Sequence, residues 1–357
     1  MVTHSEFVNG VPQQVTRPSS VAGTGFFIFV KDPRLGPDRG ISYLVTNKHL
    51  IREPNAAGVL GEGPYFKSTL MRVNVKHPAP DGTQYAIVVL SVLDDSGSLL
   101  WLTDPDESVD LALIPLGMDQ NVADFKYIPT NLFATKDLLK REHIDENDEI
   151  LFAGLFAWSP GAKKNYPIVR HGKLSRLFEE PVPLDRTHPE KTVEVHLADV
   201  MSFGGNSGSP VFLRVGGFRE TRMMGGYAYY LLGVMKGFFP EGMDFTINLA
   251  ELKGVSAQNS GIAAVIPSDK ILQILNNPRA KALNELVVAR KYEEDGLLEE
   301  ARNSYKEAIS ILEKAAPEHG DLATSLDAYA GFLRKHTKLV QDAEKAEARA
   351  KAIRSNV

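Results

Sequence analysis

The 357-residue chain contains no cysteine, which excludes disulfides, thiolate metal sites and cysteine nucleophiles together. No apolar run approaches the roughly 18 residues of a membrane span. The opening MVTHSEFVNG has neither the basic nor the apolar region of a signal peptide. Both absences set the expectation of a cytoplasmic protein with no membrane partner. A basic excess is missing too: 40 Lys and Arg stand against 45 Asp and Glu, for a net charge of −5. Binding a phosphate backbone needs clustered cations, so the expected partners are proteins or peptides rather than nucleic acid. What is present, 43% hydrophobic and 24% charged residues, suffices for a buried core divided into two or three folding units.

Up to Pro278 the chain is a series of short β-rich runs broken by Gly, Pro, Asn and Asp. They include GTGFFIFV, ISYLVTNKHLI, QYAIVVLSV, LALIPL, EILFAGLFAW, KTVEVHL, SPVFLRV and SGIAAVIP. Many short strands without interleaved helices predict an all-β barrel or sandwich. Only SDKILQIL, residues 268–275, has a helical period there, with Ser268 or Asp269 as its N-cap. Segments 215–227 and 238–260 read as long insertions, either lids or surface loops.

After Pro278 the texture changes to Ala, Leu, Glu, Lys and Arg at helical period. Residues 279–357 hold 14 Lys plus Arg and 14 Asp plus Glu, so the whole −5 belongs to the β region. The expected division is an N-terminal extension over 1–19, a β domain over 20–277 closed by a helix at 267–276, and a helical domain over 278–357. The tail repeats itself: 286–314 superposes on 326–354 at an offset of about 41 to 42 residues, placing Ala289 on Ala330, Tyr292 on Leu333 and Ala301 on Ala343. Small residues at matched places let paired helices cross closely, and Gly296 is suited to end the first helix. This tail resembles the tetratricopeptide repeats, with a degenerate second copy carrying Thr337 and Lys338 where the first has its glycine. Two helix pairs bury too little to stand alone, so the tail is expected to lean on the β domain, a second copy of the chain or a partner.

The stretch FGGNSGSPVF, residues 203–212, carries the chemistry. Gly205 and Gly208 allow backbone angles barred to other residues, and Gly205 lets its N–H point into a cleft beside that of Ser207. Two such N–H groups make an oxyanion hole, one of the three things a serine nucleophile requires. The other two are a base and a carboxylate to orient it. YLVTNKHLI places His49 at the mouth of an apolar strand, and ESVDLALIPL places Asp110 immediately before another. Of the remaining histidines, His171 and His196 read as strand residues flanking the cleft, and His77 and His143 as loop residues. No histidine pair shows helical ligand spacing beside a carboxylate, so neither metal nor cofactor is expected.

LVTNKHLI, SVDLALIPL and GGNSGSPVF, in that order, resemble the histidine, aspartate and serine motifs of chymotrypsin-like (trypsin-like) serine peptidases. The likeness runs over residues 20–276 and is nearest the bacterial glutamyl endopeptidases and HtrA-type proteases. It implies two six-stranded β-barrels meeting at a cleft, with the all-α helical-hairpin domain after them. It implies a catalytic triad of His49, Asp110 and Ser207, an oxyanion hole of the Gly205 and Ser207 N–H groups, and Ser209 as a packing residue. By the same likeness Met201 and Ser202 floor the pocket for the residue on the acyl side of the cut bond (S1), with Lys236 and Gly237 on its wall. With no carboxylate at the floor, an apolar residue is favoured over Arg or Lys, and Lys236 reads as an outward, solvated side chain or a partner for an acidic residue. Digestive members carry Asp where this chain has Asn206, so their activation by an ion pair to a new amino terminus is not expected here. The helical tail would recruit a substrate or a regulator. The alternative from another class is a silent scaffold that keeps the fold for protein–protein interaction.

Overall fold

The computed structural model describes residues 2–8, 11–17, 22–56, 61–183, 189–219, 222–247 and 252–355. In the order of the chain, strands β1 (Val2–Val8) and β2 (Val11–Arg17) form a two-stranded sheet with each other. They are followed by β3 (Phe26–Lys31), β4 (Gly40–Thr46), β5 (Ser68–Asn74), β6 (Tyr85–Ser91), β7 (Leu102–Thr103), β8 (Ala112–Pro115) and β9 (Tyr127–Pro129). Helix α1 (Lys136–Arg141) leads into β10 (Glu149–Leu155), β11 (Pro167–Arg176), β12 (Val182–Pro183), β13 (Thr192–Val193) and β14 (His196–Asp199). The long β15 (Pro210–Arg219), β16 (Arg222–Ile247) and β17 (Leu252–Pro267) complete the β region. Helices α2 (Ser268–Leu275), α3 (Pro278–Glu294), α4 (Leu298–Ala315), α5 (Gly320–His336) and α6 (Val340–Ser355) finish the chain.

The second half of the β region is a closed six-stranded barrel in the order β10-β11-β14-β17-β16-β15. Its aliphatic residues fill the interior: Ala198, Val211, Leu213, Val215, Ala263 and Val265 are all fully buried. The first half is a five-stranded sheet, β7-β8-β4-β3-β9, with the β5–β6 hairpin standing apart from it. Side-chain hydrogen bonds from Arg72 and Asn74 to the Gly161 and Asn165 carbonyls, and packing of Leu90 with Phe27 and Trp101, attach that hairpin to its surroundings. This half therefore departs from the six-stranded closure that the family likeness implies.

The presumed insertions are extensions of the barrel strands. Gly217 to Arg219 pair with Arg222 to Met224, and Pro240 to Ile247 pair with Leu252 to Asn259. Backbone groups that leave a barrel edge must find partners, and hairpin pairing supplies them along the described part of each excursion. Residues 220–221 and 248–251 of these segments lie outside the described residues.

Helix α2 begins after Pro267, which takes the N-cap position without a side-chain bond. Neither expected cap serves: Ser268 is buried, and Asp269 accepts instead from the Lys136 N–H at 3.2 Å. Helix α3 has conventional signals at both ends. Asn277 Oδ1 accepts from the Ala280 N–H at 2.8 Å, Pro278 sits in the first turn, and Gly296 at φ +76° reverses the chain. Of the residues matched by the internal repeat, Ala289, Ala301, Ala330, Leu333 and Ala343 are fully buried in one helical core, and Tyr292 packs against it half-buried.

Helix α3 belongs to two cores. Its Ala282, Leu286 and Ala289 face the other helices, while Ala280 and Val288 join Phe26, Tyr43, Val45 and Leu113 in the core of the β region. Polar contacts reinforce the seam: Arg279 donates to the Leu99 carbonyl and to Asp321, and Tyr43 Oη donates to Asn284. The tail leans on the β region, the first of the three expected supports.

Candidate active site

Strand β4 ends at Thr46, and Asn47 then starts a 3₁₀ turn over Lys48–Ile51 that carries His49. Asn47 is fully buried and donates through Nδ2 to the Asp110 carbonyl at 2.9 Å, so the turn is tied to the chain entering β8. Asp110 then holds His49 twice. Its Oδ1 accepts from the His49 backbone N–H at 2.9 Å, and its Oδ2 meets His49 Nδ1 at 2.7 Å. This fixes the ring's rotation and leaves Nε2 for a substrate-side partner. Burial works to raise the Asp110 carboxyl, but the ring hydrogen bond, the charge of Lys236 and the His49 backbone N–H outweigh it and hold the pKa at about 2.

The serine loop lies on the second half. Gly205 has φ +95° and Gly208 φ +83°, both in the region that favours glycine, and a Cβ on Gly205 would meet the Ala157 nitrogen and the Leu155 carbonyl at 2.9 Å. Among the described residues the Gly205 and Ser207 N–H groups have no hydrogen-bond acceptor, whereas Asn206, Gly208 and Ser209 all donate within the loop or to β16. Asn206 is 0% exposed; its Oδ1 accepts from the Phe203 N–H at 2.8 Å and its Nδ2 donates to the Leu155 carbonyl at 2.9 Å. A neutral amide thus braces the loop where digestive enzymes use an ion pair. Ser207 Oγ donates to the Lys236 carbonyl at 3.2 Å, and no hydrogen bond joins it to His49 among the described residues.

Thr24, which the sequence reading passed over, ties the two halves together. Its Oγ1 donates to the Gly205 carbonyl at 2.7 Å and accepts from the Leu155 N–H at 3.0 Å. Its N–H donates to the Ser207 carbonyl at 2.8 Å, and its carbonyl accepts from Thr46 Oγ1 at 2.7 Å. The bonds turn the Gly205 carbonyl toward Thr24. The local signal was the GTG entry to the first strand, which reads as a plain turn until its partners, 181 residues away for Gly205, are known.

The expected pocket residues behave differently from one another. Met201 is 41% exposed with its sulfur 4.0 Å from the Cβ position of Gly261, Ser202 is buried, and a Cβ on Gly237 would meet nothing. Lys236 is neither outward nor solvated: its ammonium lies 3.1 Å from Asp110 Oδ2, with the side chain 19% exposed. A buried carboxylate draws the cation inward because an ion pair there is weakly screened. Sequence reading also missed an aromatic shelf beside the serine loop. Trp158, 88% exposed, stacks on Phe156, whose ring meets Phe203 edge to face, and Arg170 lies 5.0 Å from the Phe203 centroid. The apolar FAW run at the end of β10 was its only sequence trace.

His196 sits in the core of β14, where its Nδ1 accepts from the Phe178 N–H at 2.9 Å and burial lowers its pKa to about 4. It is a neutral interior residue, unlike the cleft-flanking one expected. Among the described residues no group of three or more His, Asp or Glu is placed to hold a metal ion, and no helix is long and apolar enough to cross a membrane.

A His–Asp pair facing a glycine-shaped serine loop, across two β-rich halves, is the arrangement of a trypsin-like domain. Residues 23–218 match the trypsin-like peptidase domain, and the chain belongs to that family. The match ends on β15, before β16 and the helical tail. Comparison with curated proteins returns no match.

Proposed function

We propose that the protein is a serine endopeptidase that cleaves protein substrates through an acyl-enzyme. The observation that carries this reading is the doubly held His49, at 2.7 and 2.9 Å from Asp110, together with two N–H groups, at Gly205 and Ser207, that have no acceptor among the described residues. In the reaction His49 Nε2 takes the Ser207 Oγ proton as Oγ bonds to the substrate carbonyl carbon, and the oxyanion is received by the two N–H groups. The imidazolium then gives that proton to the leaving amine as the C–N bond breaks. A water molecule, deprotonated by the same ring, returns Ser207 and releases the acid.

Met201 on the exposed floor and the open face at Gly237 support an apolar residue on the acyl side, and the Lys236–Asp110 ion pair argues against an acidic one. The tail, read as tetratricopeptide-like, would bring the substrate or a regulator; its groove of about 360 Å³, lined by residues including Lys306, Ile309, Tyr329 and Arg349, suits a peptide segment.

One contact favours a second reading, a silent scaffold: the Ser207 hydroxyl is bonded to a carbonyl rather than to His49. A fluorophosphonate probe decides between them. The wild-type chain is expected to label at Ser207 and Ser207→Ala to lose both labelling and cleavage. A folded wild type that never labels, alone or with partners, would establish the scaffold.

A further inference from the structure

Lys236 is anchored in one of the most constrained stretches of the molecule. Val234 and Met235 before it are fully buried, and Met235 exchanges backbone hydrogen bonds with the serine loop through Gly208 and Ser209. From that base its side chain reaches across the cleft to the first half, where Nζ lies 3.1 Å from Asp110 Oδ2. The same oxygen takes the 2.7 Å contact with His49 Nδ1. A lysine leaves water for such a site only when a charge compensates it. Among the described residues Asp110 is its only ionic partner.

The other cations nearby have a carboxylate of their own. From the 3₁₀ turn, Lys48 and Arg52 both pair with Glu107, at 3.1 and 3.2 Å. From the chain before β8, Asp110 is the carboxylate; from β16, Lys236 is the cation; and the His49 ring lies between the turn and Asp110. While His49 is neutral, ammonium and carboxylate cancel. When His49 is protonated, two cations share one carboxylate oxygen, and the cluster carries a net positive charge inside a weakly screened cleft.

We propose that Lys236 is a positioning residue that sets the proton affinity of His49 through the shared Asp110 oxygen, keeping the base unprotonated to lower pH than an isolated Asp–His pair. The inference rests on the reading of His49 as the general base. It assigns a specific role to a residue that lies outside the region matched to the family, and it predicts a working range extended toward acid.

The test is an NMR titration of the His49 ring in the full-length chain, compared with Lys236→Met and Lys236→Gln. Both variants remove the charge, the first keeping the apolar stem and the second a hydrogen-bond donor. Each is expected to raise the titration midpoint by about one pH unit, a tenfold change in proton affinity. Lys236→Arg, which keeps the charge, is expected to stay near the wild type. The acid limb of fluorophosphonate labelling should move upward in step. Coincident midpoints in either folded variant, or a labelling rate lowered equally at every pH, would overturn the proposal. The ring titrates whether or not the protein turns over substrate. A wild type that shows the midpoint shift on substitution but never labels would sink the peptidase reading alone, and one that labels while all variants titrate alike would sink only the role of Lys236.

Discussion

Asp110 has three donors around it, the His49 ring, the His49 backbone N–H and the Lys236 ammonium. An amide at this position must turn its NH₂ toward one of them whichever way it flips. Asp110→Asn is therefore expected to keep the fold while lowering kcat by about 10⁴, because the ring loses its tautomer as well as its anchor. A fall of less than tenfold, with an unchanged circular dichroism spectrum, would remove Asp110 from the machinery. The depressed pKa has a definite sign: the stability it lends is present above the ordinary value of 3.8 and is lost as pH falls through about 2. Asp110 accordingly stays ionised on mild acidification. The meeting of His49 with Asp110 was legible because each sits at a strand end with its own flanking pattern. The contact of Lys236 was not, since its partner lies 126 residues away and no local pattern records which way a lysine turns.

The serine loop keeps its shape through elements on both sides of the cleft. Thr24, just ahead of β3, bonds to the loop at Gly205 and Ser207 and to Leu155 at the end of β10. Thr24→Val preserves shape but leaves the Gly205 carbonyl and the Leu155 N–H without their partner. Each orphaned group costs about 1–3 kcal/mol when buried, and relief by rotation of the Gly205–Asn206 peptide would break the Asn206 N–H bond to the Phe203 carbonyl and loosen the turn that aims the Ser207 N–H. The expected result is a lowered kcat on a short peptide with KM little changed, a split that a global loss of stability would not produce. Equal kinetics in Thr24→Val and wild type would show that the loop holds itself. At this scale the short strands were readable from their alternation and breakers, and α3 from its caps. The long β15–β17 hairpins were not, because the glycines and polar residues that suggest loops in GGFRETRMMGG also tolerate strand pairing once a barrel edge is there to extend.

Composition places the boundary of the molecule's two parts at Pro278, but packing gives α3 to both. Val288 is fully buried in the β-region core, and one such side chain is worth about 1.5–3 kcal/mol. Arg279 adds hydrogen bonds to the Leu99 and Trp101 carbonyls. The amphipathic pattern of a helix shows that it has a buried face, yet not which neighbour covers it, and a helix buried on two sides reads much like one buried on a single side. A chain ending at residue 277 is therefore expected to lose stability in the β region itself. A deficit of about 3 kcal/mol would lower Tm by roughly 6–12 °C, and hydrolysis of a short peptide should fall with it. A chain ending at Gly296 keeps α3 and its contacts with Tyr43 and Leu99. It should retain peptide hydrolysis while losing cleavage of a protein substrate that depends on the groove beside α4 and α6. The comparison separates two jobs for one tail, scaffold for the cleft and recruiter of substrate. If the shorter chain melts and cleaves the peptide as the full chain does, α3 contributes nothing to the cleft; if the longer one cleaves the protein substrate undiminished, the groove does not recruit it.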